Sequence, residues 1–141
     1  MSSLDIALIK ESFEGVIEVS EEAMSYFYNQ LFEKYPQVQP LFADIDMKEQ
    51  QDNLFSALMY IVDNIEKPNV VLPFIEKMGA RHANYGVEES HFPIMGFILL
   101  DTFSHFFGEK WTDDLREHWL KAYALIASHM IKGMRDKAKV A

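Results

Sequence analysis

Met78-Gly79-Ala80-Arg81-His82-Ala83-Asn84-Tyr85-Gly86-Val87 places one histidine on the inward face of a helix just before that helix ends. On helical spacing, Leu72, Ile75, Met78 and Gly79 lie ten, seven, four and three residues before His82. The imidazole therefore shares a stripe with apolar side chains and with one residue that has no side chain. Something flat could approach closely at Gly79. Gly86 predicts a break past the helix end, which leaves His82 near the last turn and able to face a cavity. A core histidine bonded to a backbone carbonyl meets the same pattern, and this stretch alone favours that reading; what moves the balance lies elsewhere in the chain.

The chain around it bounds the choice. Its 141 residues are the size of one domain, with room for a single core. Acidic side chains outnumber basic ones 22 to 13, and the formal charge of −9 would repel both a phosphate backbone and an anionic membrane surface. Nucleic acid and lipid headgroups are thus poor partners. The absence of cysteine removes disulfides, iron–sulfur clusters, thiolate zinc sites and cysteine nucleophiles, and leaves histidine and carboxylates as the available metal ligands. It is also compatible with a reducing cytoplasm. Asp5, Lys10 and Glu11 interrupt the apolar residues at the N-terminus, and the longest uncharged run, Ser90 to Leu100, is too short to span a bilayer, so a soluble protein is expected.

Working outward along the chain, every strong pattern has the helical period. Leu4, Leu8, Ile9, Phe13, Val16 and Ile17 predict a first helix, capped by Ser2 or Ser3 with Asp5 in its first turn. Ser20, with Glu21 and Glu22 after it, is the expected cap of a second helix whose stripe is Met24, Phe27, Tyr28, Leu31, Phe32 and Tyr35. Pro36 stops that helix, Pro40 allows only a short turn, and Leu41-Phe42 delivers a ring from a corner. Asp44 or Asp46 then caps a helix carrying Leu54, Phe55, Leu58, Ile61, Val62 and Ile65, with Gln50 one turn before Leu54 on the core side. Pro68-Asn69 starts the helix of His82. A nearly all-apolar helix from Phe92 to Phe106 reads as a central one, and Thr112 caps the last helix, with Leu115, Trp119, Ala122, Tyr123, Ile126, Met130 and Met134 as its stripe. The basic tail from Arg135 to Lys139 is expected to fray. The prediction is six helices and a short one in a single all-α domain, residues 1–141.

Few constellations carry chemistry. His82, His91, His105, His118 and His129 form no His-x-x-x-His pair and no His-Glu-x-x-His run, which argues against a zinc hydrolase. No glycine-rich phosphate loop and no Gly-x-Ser-x-Gly turn occurs. What remains is a core-facing His82, Tyr28 and Gln50 on other helices, and Phe42 at a corner.

These residues bring out a resemblance that covers nearly the whole chain. Phe27-Tyr28-x-x-Leu31-Phe32, Pro36 with Leu41-Phe42, Gln50-x-x-x-Leu54, Gly79-x-Arg81-His82, Tyr85-Gly86-Val87, Pro93-x-x-Gly96 and Trp119-x-Lys121-Ala122-Tyr123 stand in the order and spacing of a globin. The sequence resembles the single-domain bacterial haemoglobins of the flavohaemoglobin lineage. That resemblance implies a globin fold, a three-over-three helical sandwich around a haem pocket, with haem b (iron protoporphyrin IX) as cofactor. It implies His82 as the proximal iron ligand and Phe42 as the ring packed on the porphyrin, with Met78, Arg81, Val87 and Phe92 as further cofactor-contacting positions. Tyr28, Gln50 and Leu54 would line the distal pocket where O2 binds, and Gln51 is the alternative distal amide if the preceding loop is one residue longer.

The same resemblance frames the function. It implies binding of O2, carbon monoxide and nitric oxide, for storage, delivery or nitric oxide scavenging. Two alternatives are a nitric oxide dioxygenase served by a separate reductase, since no reductase segment is expected within these residues, and a globin-fold sensing or interaction module. The lineage sets a Tyr and a Glu around the proximal histidine, whereas the matching positions here are Phe92 and Met134.

Overall fold

The computed structural model describes residues 5–140, and the expected cap at Ser2 or Ser3 and the apolar Leu4 lie outside them. Helix α1 spans Ile6–Glu18, α2 Ser20–Lys34, α3 Met47–Asp63, α4 Pro68–Asn84, α5 His91–Phe107 and α6 Asp113–Val140. Two short 3-10 segments, Pro36–Phe42 and Gly108–Lys110, complete the order, and the described residues contain no strand.

Local chemistry explains most of the boundaries. Asp5, expected inside the first turn, is instead the N-cap of α1, and its carboxylate accepts from the Leu8 amide at 3.0 Å. Asp46 rather than Asp44 caps α3 and accepts from both Lys48 N and Glu49 N. Thr112 Oγ1 accepts from Leu115 N at the start of α6. Ser20 does not cap α2. It is the first helical residue, because α1 runs on to Glu18 and the Val19 carbonyl already accepts from the Ala23 amide at 2.8 Å. Pro68 opens α4 at a position where a missing amide hydrogen costs nothing, and Gly86, at φ +88°, takes the left-handed turn past its end.

The helices stack as three over three. Helices α1, α3 and α4 form one layer, with α1 against α3 and α3 against α4. Helices α2, α5 and α6 form the other, with α2 against α5 and α5 against α6. The layers are joined by α2 on α3, α1 on α6 and, most extensively, α4 on α6. Ile9, Leu31, Phe13, Phe27, Ile98 and Phe103 are essentially sealed from water between them, each burial contributing about 1.5–3 kcal/mol.

The tail of α6 does not follow the expectation of fraying. The helix continues to Val140, because Arg135 donates to both carboxylate oxygens of Glu89, at 2.9 and 2.7 Å, and Lys137 Nζ donates to the Asn84 side chain. Long-range ties to the corner after α4 hold what composition alone reads as a loose basic end.

Candidate functional site

The apolar interior divides into two clusters, and the residues of interest sort between them. The larger contains Tyr28, Leu31, Leu58, Val62 and Leu99, with Phe32, Phe42 and Leu54 packed on it. The smaller contains Ile61, Ile75, Phe92 and Met130, with Met78, Val87 and Met134 packed on it. Helices α3, α5 and α6 contribute to both, so they form walls common to the two sides.

On the first side the polar atoms are few and paired. Tyr28 is buried in α2, with the Phe42 ring 5.6 Å away and steeply inclined to it. Phe42 also meets Phe32 at 5.3 Å, so the corner ring is held by two aromatic neighbours. From α3, Gln50 Nε2 donates to the Tyr28 hydroxyl at 3.0 Å. Gln51 turns elsewhere, into a crevice with Ser20, Met24 and Phe55, so the amide beside Tyr28 is that of Gln50. Burial raises the Tyr28 pKa to about 12, with the Gln50 bond acting against it, and the phenol keeps its proton.

On the second side His82 is half-buried, and its Nδ1 lies 2.7 Å from the Met78 carbonyl one turn back. A carbonyl only accepts, so Nδ1 carries the hydrogen and a neutral ring presents its lone pair at Nε2. Burial pushes the imidazole below its ordinary value, Met78 works the other way and Arg81 adds to the lowering. Burial and the Arg81 charge thus both favour the neutral ring. Tyr85, exposed at the helix end, meets His82 edge to face, with the two ring centres 6.0 Å apart.

The other histidines are otherwise engaged. His91 Nδ1 accepts from Glu88 N at 2.9 Å and so ties off the start of α5, and His118 Nδ1 accepts from Asp5 N. His129 faces the Glu76 carboxylate at 2.9 Å, and His105 stacks on Tyr26. No cluster of three or more His, Asp or Glu side chains placed to hold a metal ion occurs among the described residues.

The remaining expectations divide. Arg81 is exposed on α4, about 100° around the helix from His82. Phe92 and Met134 share the small cluster with Met78, and neither side chain brings a strong hydrogen-bonding group to it. Gly79 is corrected: it faces the backbone of α6, where a β-carbon would overlap the Met130 carbonyl, so no flat group lies against it. One feature was not legible beforehand. Tyr123 Oη donates to the Phe92 carbonyl at 2.6 Å, across a ring that lies flush on Gly96. The spacing of Gly96 to Phe92 on one helix was the available signal.

A three-over-three stack of helices with a single carbonyl-oriented histidine on one side and a phenol–amide pair on the other defines a class of protein. The chain belongs to the globin family, whose model matches residues 25–130. It is 27% identical to a flavohemoprotein of Bacillus subtilis strain 168 over 139 residues, 95% of this chain and 35% of that protein. The chain thus spans about a third of the length of the curated relatives it matches. Among solved structures, RmaNOD, a candidate nitric oxide dioxygenase of Rhodothermus marinus engineered as a carbene transferase, superposes with a TM-score of 0.84. It is 26% identical, with 99% of this chain and 95% of that one covered. A bacterial globin from Campylobacter jejuni gives a TM-score of 0.81 at 28% identity, with 95% and 96% covered. No helix among the described residues is long and apolar enough to cross a membrane.

Proposed function

We propose that this globin binds haem b through His82 and takes up O2 or a related diatomic gas on the side of Tyr28 and Gln50. The observation that carries the reading is the 2.7 Å bond between His82 Nδ1 and the Met78 carbonyl. It fixes the tautomer, orients the ring and raises the basicity of Nε2, as a metal-binding imidazole requires. The donor set therefore fits haem iron held by one neutral nitrogen. When bound, haem supplies the iron at which a diatomic gas coordinates.

The protein's own groups do the rest. Phe42, Leu54, Met78, Val87 and Phe92 would offer apolar contacts for a flat macrocycle, and Arg81, exposed on α4, would offer a cation for one of its carboxylates. Tyr28 accepts from Gln50 and so keeps its O–H for a gas ligand with polar character. In a water-poor pocket such a donor is stronger than in bulk solvent. Residues 1–141 form one globin domain in this account, working in the cytoplasm in gas storage, delivery or nitric oxide scavenging.

The names of the relatives favour a second reading, nitric oxide dioxygenation with electrons from a separate reductase. Phe92 and Met134 weigh against it, because they do not bond to His82 and cannot enhance its electron donation. The test is an optical titration of the purified chain with haem. Uptake of one equivalent, a Soret band, and its shift on reduction and on adding carbon monoxide are expected. Failure to retain haem through gel filtration would overturn the proposal.

A further inference from the structure

Helices α4 and α6 meet backbone to backbone, which is unusual for elements whose contact is otherwise lined by long side chains. A β-carbon at Gly79 would overlap the Met130 carbonyl oxygen, and one at Gly133 would overlap that of Glu76. The two close approaches are reciprocal: each helix supplies one glycine and one carbonyl, three residues apart. Both glycines are buried. The helices run in the same direction, since Glu76 with His129 and Asn84 with Lys137 share an offset of 53 residues.

Side chains tie this seam at both ends. At one, His129 Nδ1 lies 2.9 Å and Lys132 Nζ 3.4 Å from the Glu76 carboxylate. At the other, Lys137 bonds to Asn84 and Arg135 grips Glu89 with two nitrogens. His82 sits between the two ends. With about 100° per residue, the direction to α6 lies midway between Glu76 and Gly79, and His82 points about 90° from it. Any change in the spacing of α4 from α6 therefore moves His82 sideways, across the face it presents, rather than along its own axis.

From this geometry we infer that Gly133 is a positioning residue: by letting α6 approach to backbone contact, it sets the lateral position and tilt of the His82 imidazole. The helices have no slack at this point, so an added methyl group must displace one of them. Packed interiors transmit such displacements instead of absorbing them. Helix α4 yields the more readily, because apart from α6 its main packing is on α3, whereas α6 is anchored by both α1 and α5. A tilted ring makes a weaker bond through Nε2.

The inference rests on the reading of His82 as the iron ligand, and the experiment separates the two. Ferrous haem-loaded protein is measured by resonance Raman spectroscopy, with the unsubstituted chain, Gly133→Ala and, as a control, Gly15→Ala on α1, where an added β-carbon meets the Phe107 ring at an ordinary 3.4 Å. In Gly133→Ala the iron–histidine stretching band moves to lower frequency and carbon monoxide association slows by about fivefold or more, the low end of ordinary site-to-site coupling. The control changes neither. If Gly133→Ala does not fold, Arg135→Ala with Lys137→Ala decides, since these exposed ends can be released without overpacking. A broadened, lowered band is expected there. An unchanged band and rate in folded Gly133→Ala, or in the double variant if that one must decide, overturns the seam. Absence of the band in the unsubstituted protein overturns the reading of His82 itself.

Discussion

The Gln50 amide donates to the Tyr28 hydroxyl oxygen at 3.0 Å, which makes the phenol an acceptor toward α3 and leaves its own proton for the space beyond. Two side chains on different helices thus act as one donor. With a pKa raised by burial to about 12, Tyr28 stays protonated across the neutral range, so its contribution should not vary between pH 6 and 9.

Replacing Tyr28 by Phe keeps the ring and deletes that donor. A hydrogen bond to a group bearing charge contributes about 1.5–3 kcal/mol, so O2 release should accelerate about ten- to a hundredfold. Carbon monoxide, which gathers less charge on coordination, should respond far less. Gln50→Leu should act in the same direction and combine non-additively with Tyr28→Phe, because it removes the partner that orients the phenol. Stopped-flow release rates for both gases are the check, and equal changes for the two would assign Tyr28 a steric role. Gln51→Leu should leave the rates unchanged.

Gly96 lies directly under the Tyr123 ring, and that ring is pinned by its hydroxyl to the Phe92 carbonyl. Gly96→Ala gains helix propensity of about 1 kcal/mol but must push away a ring that cannot rotate freely, at about 1–3 kcal/mol. A net loss of up to about 2 kcal/mol is expected in urea unfolding of the apoprotein. Tyr123→Phe combined with Gly96→Ala should lose less than the sum of the two, since freeing the hydroxyl lets the ring shift.

Glu76 links stability to pH. Hydrogen bonding from His129, and to a smaller extent the Lys132 ammonium, hold its carboxyl below the ordinary 4.5, with burial opposing them. A folded value below the unfolded one contributes stability that is complete above the unfolded value and is lost as pH falls through the folded value. Glu76→Gln should therefore cost about 0.5–1 kcal/mol at pH 7, the size of a partly exposed ion pair. The difference should vanish in acid below the normal glutamate range. Thermal melts across pH 3 to 7 measure it, and a gap that persisted or widened in acid would contradict the assignment.

How much of this was readable from residues alone depends on the range of the interactions. The six helices follow from periodicity because each stripe is a local signal, and Tyr28, Phe42 and Gln50 come together because their elements do. Choosing between Gln50 and Gln51 needed the rotation of α3 against α2, which no local pattern carries. The Val19–Ser20 junction deceived for a local reason: a serine before two glutamates looks like a cap even where the previous helix runs straight into the next. Gly79 and the tail of α6 were misread for one shared reason. Their partners, Met130, Asn84 and Glu89, lie about fifty residues away in sequence, and only packing reveals them.

The central claim is that His82 Nε2 holds haem iron, and the most direct test is the ferrous spectrum of His82→Ala with and without added imidazole. Loss of the ferrous spectrum of the unsubstituted protein in the variant, and its partial return when imidazole enters the space left by the ring, is the result the account predicts. His91→Ala, which removes only the cap at Glu88, should keep the spectrum of the unsubstituted protein. A His82→Ala protein whose ferrous and carbon monoxide spectra match those of the unsubstituted chain, with no response to imidazole, would contradict it.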